Sequence, residues 1–358
     1  MKLKSSYDNI IVGSSPLMLI EAFYLSKLGK TSLIVEKNKV IGGSWQTFSQ
    51  DSVSDQVEVG CHIWYRDKKC FNFLNEVFDL DISKQEFQPK VYRKNKYWPY
   101  YMINLFVLLK SIPKLNSFHE VRSFKNTLAL FCKDFLKIGK FHYPLSGSFG
   151  FIQGILDKLK EQGVDILSNS EISEIDLFNK KVILKDGKSI VFVEQVVGTN
   201  KSEFKYILDI NGASHSYTIK PDTVCNFYLV ISGYDKQTIS YVGVWDDEAI
   251  YRVSDVTYLD KKMRDQNKRI LCVQTFKEFY TNSKSKKEVL IIQKLIKMGV
   301  IDNENNVDYY FWRPFYYNNQ PNDSNARFNK QFQPFIRLMS SHNLILSFSQ
   351  NYDRWKEI

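Results

Sequence analysis

Residues 9–36 read NIIVGSSPLMLIEAFYLSKLGKTSLIVE, and this stretch decides the fold. Asn9 to Val12 forms an apolar, β-branched run, which is typical of a strand in the centre of a parallel sheet. Gly13 follows directly, and from Leu17 to Leu28 apolar residues recur at helical spacing until Gly29 ends the pattern. We therefore predict a strand, a tight turn and a helix.

A second strand is predicted over Thr31–Val35, and it ends in Glu36. Strand, turn, helix, strand and acid within about 30 residues is the order of a dinucleotide-binding βαβ unit. In such a unit, backbone N–H groups of the turn, here at Ser14 and Ser15, face a pyrophosphate that the helix dipole favours. Glu36, followed by Lys37, would accept hydrogen bonds from ribose hydroxyls. Its charge would repel a 2′-phosphate, which argues against NADP.

The turn lacks two of the glycines expected there. A full fingerprint carries three glycines, for the tight turn, for approach of the pyrophosphate and for close packing of helix on strand. Here Gly13 is the first, whereas Ser15 stands at the second position and Met18 at the third. Serine is small enough to admit a pyrophosphate. We expect Met18 either to push the helix away from the strand or to be absorbed by a small residue opposite.

The segment after Glu36 adds a second signal. It contains Ile41–Trp45 (IGGSW), and a Gly-Gly pair just after the ribose-binding acid is not part of the NAD pattern. Here the sequence resembles the FAD-binding half of the amine-oxidase and phytoene-desaturase superfamily. In that superfamily the paired glycines let the chain pass close to the FAD phosphates and the isoalloxazine. The resemblance therefore implies FAD as cofactor, with Gly42, Gly43 and Ser44 beside it.

Within that superfamily the sequence is most similar to the UDP-galactopyranose mutase family. The similar segments are Tyr7–Ser14, Ile41–Gly43, Gly60–Tyr65, Tyr92–Pro99 and Ile250–Asp255. The similarity is good over the first third of the chain and patchy afterwards. It implies the fold and the flavin chemistry of that family as expectations for this chain.

The resemblance also implies candidate catalytic residues. His62 matches a flavin-proximal histidine of the family, in a Gly-x-His segment that begins at Gly60, whereas Tyr65 replaces the family's second histidine. Gly60 itself is carried over as a candidate cofactor-binding residue. Arg252 matches an arginine that lies near the flavin and the substrate. The alternatives are a structural role for His62 and a surface ion pair of Arg252 with a nearby aspartate.

The end of the chain departs from the pattern. In these families a late strand leads to a Gly-Asp or Gly-Arg pair at the flavin phosphates, and a long helix follows. We predict the late strand at Asn343–Leu346, followed by Ser347–Tyr352 without a glycine and by only a short helix to Ile358. Two of the three FAD signatures are therefore incomplete.

Residues Trp312–Tyr317 form an aromatic cluster around an arginine. Trp312, Arg313 and Tyr316 are candidate substrate-binding residues, because an aromatic ring can stack on a ligand while arginine contacts a phosphate. The alternative is a core strand with an arginine whose charged end reaches solvent. The acidic loop at Asp246–Glu248 shows no further ligand at fixed spacing, so no metal site is predicted.

Charge and cysteine content narrow the class of protein. The net charge is +10, but the basic residues form no long run, which argues against nucleic acid as partner. The charge fits a diphosphate ligand with weak attraction to an anionic membrane surface, and equally a solvated lysine-rich surface. Five cysteines without a CxxC pair argue against zinc and disulfides, and for a reducing compartment. Without a signal peptide or an apolar stretch near about 20 residues, we expect a cytoplasmic protein, peripheral at most to the inner membrane face.

The expected fold class is α/β, with an FAD-binding Rossmann-like domain of the glutathione-reductase type interleaved with two other regions. The FAD-binding domain would comprise residues 5–65, 145–205 and 335–358. A largely helical insertion would span 66–144, and a mixed β-rich substrate domain would span 206–334.

Two functional hypotheses follow. The first is an FAD-dependent enzyme acting on a nucleotide sugar or glycan intermediate of cell-surface polysaccharide biosynthesis, by mutase-like or oxidase-like chemistry. The second is a flavin-fold protein that has lost catalysis and serves as a scaffold or binding subunit of a glycan-assembly complex. The missing glycines and the short C-terminal helix motivate the second. The sequence leaves the substrate and the oligomeric state open.

Overall fold

A computed structural model gives the fold of the protein. The structure describes residues 3–51, 53–60, 62, 64–65, 68–85, 89–100, 102, 141–199, 202, 204–217, 222–232, 241–245, 247–257, 267–276, 279, 287–317, 328–339 and 344–356. The helices of this part are α1 (Pro16–Lys27), α2 (Lys68–Phe78), α3 (Gly147–Glu161), α4 (Lys287–Lys297) and α5 (Leu344–Trp355).

The strands are distributed over the whole chain. Those in the first half are β1 (Ser6–Val12), β2 (Ser32–Val35), β3 (Thr47–Gln50), β4 (Ser54–Glu58), β5 (Trp64–Tyr65), β6 (Ile82–Gln85), β7 (Lys90–Arg93), β8 (Lys96–Pro99), β9 (Phe141–Pro144), β10 (Asp165–Leu167) and β11 (Ile172–Asp176). Those in the second half are β12 (Lys181–Leu184), β13 (Ser189–Thr199), β14 (Phe204–Leu208), β15 (Ser214–Tyr217), β16 (Asp222–Ser232), β17 (Tyr241–Val244), β18 (Ile250–Asp255), β19 (Lys268–Thr275), β20 (Val307–Tyr317) and β21 (Ile336–Met339).

The first sheet has nine strands and a parallel centre. Its order is β10-β2-β1-β13-β12-β11-β14-β15, and β21 also pairs with β13. Strands β10, β2, β1, β13 and β21 run parallel, with Val12 opposite Val35 at the carboxyl ends of β1 and β2. Strand β13 pairs with β12 over its first half and with β21 over its second half. The predicted Rossmann-like arrangement is thereby confirmed.

Helices cover one face of this sheet. Helices α1, α3 and α5 pack together there, around buried side chains such as Phe151, Phe348 and Trp355. The opposite face carries a second core, which includes Phe192, Phe204 and Phe328 from the β-meander and the segment before β21. Burial on both faces explains why β1 and β2 are continuous apolar runs rather than alternating patterns.

The second sheet has seven strands in the order β20-β16-β19-β18-β17-β7-β8. Helix α4 packs on one face, over Phe227, Leu229 and Val273. On the other face, Tyr228 and Cys272 pack against Phe48 and neighbouring side chains of the β3–β4 hairpin. This second face is therefore turned towards the nucleotide-binding part of the chain.

The predicted late strand at Asn343–Leu346 is wrong. The strand is Ile336–Met339, and Leu344 begins α5. A four-residue apolar run does not distinguish a strand from a helix, and here Phe348 and Trp355, which are seven residues apart, bury the same helix face. The sequence between β21 and α5, residues 340–343, contains no glycine and lies outside the described residues.

The region predicted as a helical insertion is only partly described. Within residues 66–144 the described part contains α2 and strands β6 to β9, and residues 103–140 are not described. The β7–β8 hairpin joins the second sheet, where Lys90 pairs with Val242 of β17 in parallel. This hairpin therefore extends the sheet predicted for the substrate domain.

Candidate functional site

Hydrogen bonds join three of the predicted cofactor-binding residues. Glu36 directly follows β2 and is 4% exposed, and its Oε2 atom accepts from both the backbone N–H and the hydroxyl of Ser14, at 2.9 and 2.7 Å. The Ser14 hydroxyl oxygen accepts in turn from the N–H of Gly42 at 3.0 Å. The other carboxylate oxygen of Glu36 accepts from the N–H of Asn38 at 2.8 Å. The acid, the turn and the Gly-Gly segment are thus held as one unit, while the Lys37 side chain points to solvent.

The Gly-Gly segment crosses the turn at the start of α1. A Cβ atom at Gly43 would stand 3.1 Å from the Cα atom of Ser15. Gly43 and Gly13 also have φ angles of +59° and +89°, in the left-handed region that favours glycine. The side chain of Ser44 is exposed in the short 3-10 turn Gly43–Trp45 that follows. This crossing is where the sequence predicts a pyrophosphate.

The methionine at the third glycine position does not obstruct the turn. Met18 is fully buried in the core that α1 shares with α3 and α5. It is therefore absorbed, although by a core of large side chains rather than by one small residue. Pro16 occupies the first helical position and has no N–H group, while Met18 and Leu19 donate to the Ser15 carbonyl at 2.8 and 3.0 Å. These contacts leave the N–H of Leu17 to face an anion at the start of α1.

His62 lies between β4 and β5, stacked on Trp45. The two ring centroids are 4.3 Å apart with an interplanar angle of 17°. The imidazole is hydrogen bonded to the backbone of Ser44, and its Nε2 atom is buried with no hydrogen-bond partner among the described residues. Burial first, and then the charge of Arg252, lower the pKa of His62 from 6.5 to about 3. The imidazole is therefore neutral at physiological pH. It can form hydrogen bonds, but it cannot act as a general acid in the imidazolium form.

Arg252 and Gly60 lie beside His62. A Cβ atom at Gly60 would stand 3.6 Å from Arg252 Nη2 and 3.7 Å from Gln274 Nε2. The Arg252 guanidinium also lies 5.6 Å from the centroid of the Tyr241 ring. The resemblance predicted Gly60, His62 and Arg252 as site residues, although they belong to two distant segments of the chain. The structure brings the three together where the end of β4 meets the second sheet.

Sequence reasoning missed a buried carboxyl group next to these residues. Glu58 ends β4 and is 4% exposed, and its Oε1 atom accepts from the Tyr143 hydroxyl and, at 2.9 Å, from the Ser148 N–H at the start of α3. Burial raises the pKa of Glu58 against the opposing effect of these hydrogen bonds. A single acid between Val57 and Val59, immediately before Gly60, is the signal that could have revealed it.

The Trp312–Tyr317 cluster divides between the two faces of the second sheet. The Trp312 indole N–H donates to Glu288 of α4 at 2.7 Å, and its ring packs in the core beneath that helix. Arg313 projects from the opposite face, with its guanidinium 3.8 Å from the Phe48 ring centroid. Trp312 therefore does not share a site with Arg313, because successive strand residues alternate between faces. The backbone of Tyr316 belongs to β20, and its side chain lies outside the described part.

The residues at the turn fit FAD. The turn itself carries only small side chains, at Gly13, Ser14 and Ser15, while Gly43 crosses it and Met18 is buried in the core. Glu36 Oε2 already accepts two bonds from Ser14, whereas Oε1, which accepts from Asn38, has a further lone pair for a ribose hydroxyl. Among the described residues, no group of three or more His, Cys, Asp or Glu could hold a metal ion. Cys70, Cys225 and Cys272 are buried thiols.

The first sheet and the turn at the start of α1 define a Rossmann-like α/β protein. Residues 11–77 match the family described as NAD(P)-binding Rossmann-like domain. A search of curated proteins finds no match. In the described part of the chain, no helix is long and apolar enough to cross a membrane.

Solved structures show the same fold over nearly the whole chain. Reduced UDP-galactopyranose mutase is 14% identical, with a TM-score of 0.65 and coverage of 94% of this chain and 88% of that one. Putrescine oxidase bound to putrescine is 11% identical, with a TM-score of 0.64 and coverage of 98% of both chains. RAB GDI from Plasmodium falciparum is 14% identical, with a TM-score of 0.57 and coverage of 99% and 97%. At these identities the likeness shows the fold alone, and it confirms the predicted α/β fold class.

Proposed function

We propose that the protein is an FAD-dependent enzyme that acts on a nucleotide sugar or glycan intermediate of cell-surface polysaccharide biosynthesis. The convergence of Gly60, His62 and Arg252 between the two sheets carries this proposal. Fold similarity to a UDP-galactopyranose mutase and to putrescine oxidase supports the flavin part. The sequence motifs shared with the mutase family support the sugar part.

The turn and the Gly-Gly segment would hold the cofactor. Gly13, Ser14 and Ser15 would line the pyrophosphate. The predicted N–H contact from Ser14 is not available, because the N–H groups of Gly13 and Ser14 donate to Val35 and Glu36, so the donors would be those of Ser15 and Leu17. Glu36 would accept from the adenosine ribose, and Gly42 and Gly43 would pass beside the phosphates. When bound, FAD supplies either hydride acceptance or a nucleophilic centre for bonding to a sugar.

The protein's own groups at the site have defined roles in this proposal. Arg252 is a permanent cation, and it would orient and neutralise an anionic or polarised substrate group. His62 is neutral and would act by accepting a hydrogen bond through Nε2. Trp45 stacks on His62 and the Tyr241 ring lies beside the Arg252 guanidinium, and electrostatic interactions are stronger in such partly buried surroundings than in water.

The visible absorbance spectrum with and without added FAD tests the proposal. Flavin bands near equimolar stoichiometry support it, and a protein that stays colourless with excess FAD overturns it. Protection against thermal unfolding by UDP would then favour mutase-like chemistry over oxidase-like chemistry, because only the former needs a diphosphate site.

A second candidate is a catalytically inactive scaffold or binding subunit of a glycan-assembly complex. Pro16 at the start of α1 favours it, because Pro16 has no N–H and those of Met18 and Leu19 donate to the Ser15 carbonyl, so Leu17 is the remaining donor of the first helical turn. A colourless protein that binds a partner enzyme would support this candidate. For either function we propose a cytoplasmic protein whose positive charge allows contact with the inner membrane face.

A further inference from the structure

Four polar residues form a row across the second sheet. Arg252 of β18 pairs with Gln274 of β19, Gln274 pairs with Asn226 of β16, and Asn226 pairs with Arg313 of β20. Directly opposite residues of neighbouring antiparallel strands project from the same face of a sheet. That face meets the β3–β4 hairpin, where the Arg313 guanidinium lies over the Phe48 ring. The row therefore lines the contact between the second sheet and the nucleotide-binding part.

Backbone carbonyl groups fix the orientation of the Asn226 amide. Its Nδ2 atom donates to the Val59 carbonyl oxygen at 2.6 Å. The same atom lies 3.2 Å from the Tyr228 hydroxyl, whose proton goes to the Glu58 carbonyl oxygen at 3.2 Å. Since a carbonyl oxygen only accepts, the nitrogen of Asn226 must face Val59 and its Oδ1 atom must face Gln274.

The same reasoning fixes Gln274. Its Nε2 atom donates to Asn226 Oδ1 at 3.2 Å, and the reversed amide would set two carbonyl oxygens against each other. Its Oε1 atom is then an acceptor that is buried and has no hydrogen-bond partner among the described residues, in a side chain that is 4% exposed. A buried acceptor without a donor is unfavourable, so a ligand that brings a donor gains affinity there.

A second buried acceptor lies nearby. The hydrogen bond between the His62 imidazole and the Ser44 backbone raises the pKa of His62. A bond that the ring N–H donates to a carbonyl oxygen has this effect, so the imidazole is the donor. Because Nε2 has no partner in the described part, this bond uses Nδ1, and Nε2 is left as an acceptor. Arg252 connects the two acceptors, since it pairs with Gln274 and lies close enough to His62 to lower its pKa.

The chemistry of these three groups selects one kind of ligand. Arg252 offers only donors, whereas Gln274 Oε1 and His62 Nε2 only accept. A phosphate or carboxylate suits Arg252 but has no proton for the two acceptors at neutral pH. A hydroxyl group accepts and donates at once, and neighbouring hydroxyls of a sugar provide two such groups.

We propose that Gln274 and Arg252 together bind a hydroxyl group of a sugar substrate, and that His62 accepts from a second hydroxyl. The inference rests on the proposed function, because it assigns the sugar side of the same site. Gln274 is then a substrate-binding residue that the motifs shared with the mutase family do not include.

Replacing Gln274 by methionine tests the inference, because methionine keeps the length of the side chain but has no amide oxygen. Gln153→Met, the same change at an exposed position of α3, is the matched control. Calorimetric titration of the full, FAD-treated chain with UDP-galactose, UDP and free galactose is the measurement. We expect Gln274→Met to weaken the binding of UDP-galactose and of galactose by about tenfold or more in Kd, with the affinities for UDP and FAD unchanged.

A second variant guards against a folding defect at position 274. Gly60→Ala places a methyl group at ordinary contact distance from Arg252 and Gln274, at a backbone conformation that alanine adopts. We expect this variant to fold and to lose galactose binding, because the methyl group occupies the space between the two side chains and the ligand.

The outcomes separate the inference from the proposed function. A wild-type protein that takes up FAD but binds neither galactose-bearing ligand overturns the inference and leaves the flavin assignment standing. Equal affinities in Gln274→Met and wild type also overturn it. A protein that takes up no FAD, yet binds galactose and loses that binding in Gln274→Met, supports the inference and overturns the flavin function.

Discussion

Gly43 passes so close to Ser15 that a Cβ atom at residue 43 would stand 3.1 Å from the Ser15 Cα atom. Gly43→Ala should therefore disturb the turn in two ways, through its positive φ angle of +59° and through this contact. The φ angle alone costs about 1 kcal/mol of unfolding free energy. We expect a larger loss of stability and weaker FAD uptake, measured by denaturant titration and by absorbance.

Gly163→Ala is the control for Gly43→Ala. Gly163 has a similar φ angle of +68°, but a Cβ atom there would meet nothing within 4 Å. This variant should lose only the conformational contribution, with FAD uptake as in wild type. Equal behaviour of the two variants would show that the contact with Ser15 does not shape the cofactor site.

Ser14 connects Glu36, the proposed ribose-binding acid, to the Gly-Gly segment. Its hydroxyl donates to Glu36 and accepts from the Gly42 N–H, so Ser14→Ala removes two buried hydrogen bonds and leaves the Gly42 donor without a partner. We expect a loss of about 1–3 kcal/mol in unfolding free energy and weaker FAD uptake. Ser170→Ala, at an exposed hydroxyl, should change neither. Unchanged FAD uptake in Ser14→Ala would contradict a role for this link in cofactor binding.

The βαβ unit could be predicted closely because its signals are local. The helix expected over Leu17–Leu28 is observed at Pro16–Lys27, and the strand expected over Thr31–Val35 is observed at Ser32–Val35. Burial on both faces of the sheet makes such strands apolar throughout, and the turn requires glycine at Gly13. These requirements act within a few residues, so the local sequence alone is enough to predict them.

The parts that could not be predicted depend on distant partners. The position of β21 follows from pairing with β13, about which the run at Leu344–Leu346 carries no information. The roles of Glu58 and Gln274 depend on polar groups that are distant in sequence, such as Tyr143 and Ser148 for Glu58 and Asn226 for Gln274. Trp312 and Arg313 are adjacent in sequence, yet a helix on one face and a hairpin on the other assign them to different environments.

The short C-terminal helix is fastened by a buried carboxylate. Glu21 of α1 is fully buried and binds Arg337 of β21 at 2.5 Å, together with the Arg354 guanidinium and, at 3.0 Å, the Trp355 indole N–H. Glu21→Gln should cost about 3–5 kcal/mol in unfolding free energy, because two arginines lose their counter-charge. Denaturant titration measures the loss.

Glu161→Gln is the matched control for Glu21→Gln. It removes a carboxylate from a mostly exposed ion pair with Lys158 and should change stability by less than about 1 kcal/mol. If both variants lost equally little unfolding free energy, the Glu21 ion pairs would not be what holds α5 against α1.

His62 should make the protein less stable as the pH falls. Its pKa is about 3 in the folded protein and about 6.5 when unfolded, so below pH 6.5 the unfolded chain takes up a proton that the folded chain does not. Stability from this group is complete above pH 6.5, and it is lost at up to about 1.4 kcal/mol per pH unit towards pH 3. Glu58 acts in the opposite sense because its pKa is raised. His62→Phe, which keeps a ring against Trp45 and leaves Glu58 in place, isolates the histidine. Between pH 6.5 and 4.5, denaturant titrations should show wild type losing about 2 kcal/mol more than this variant, and parallel curves would mean that His62 titrates normally.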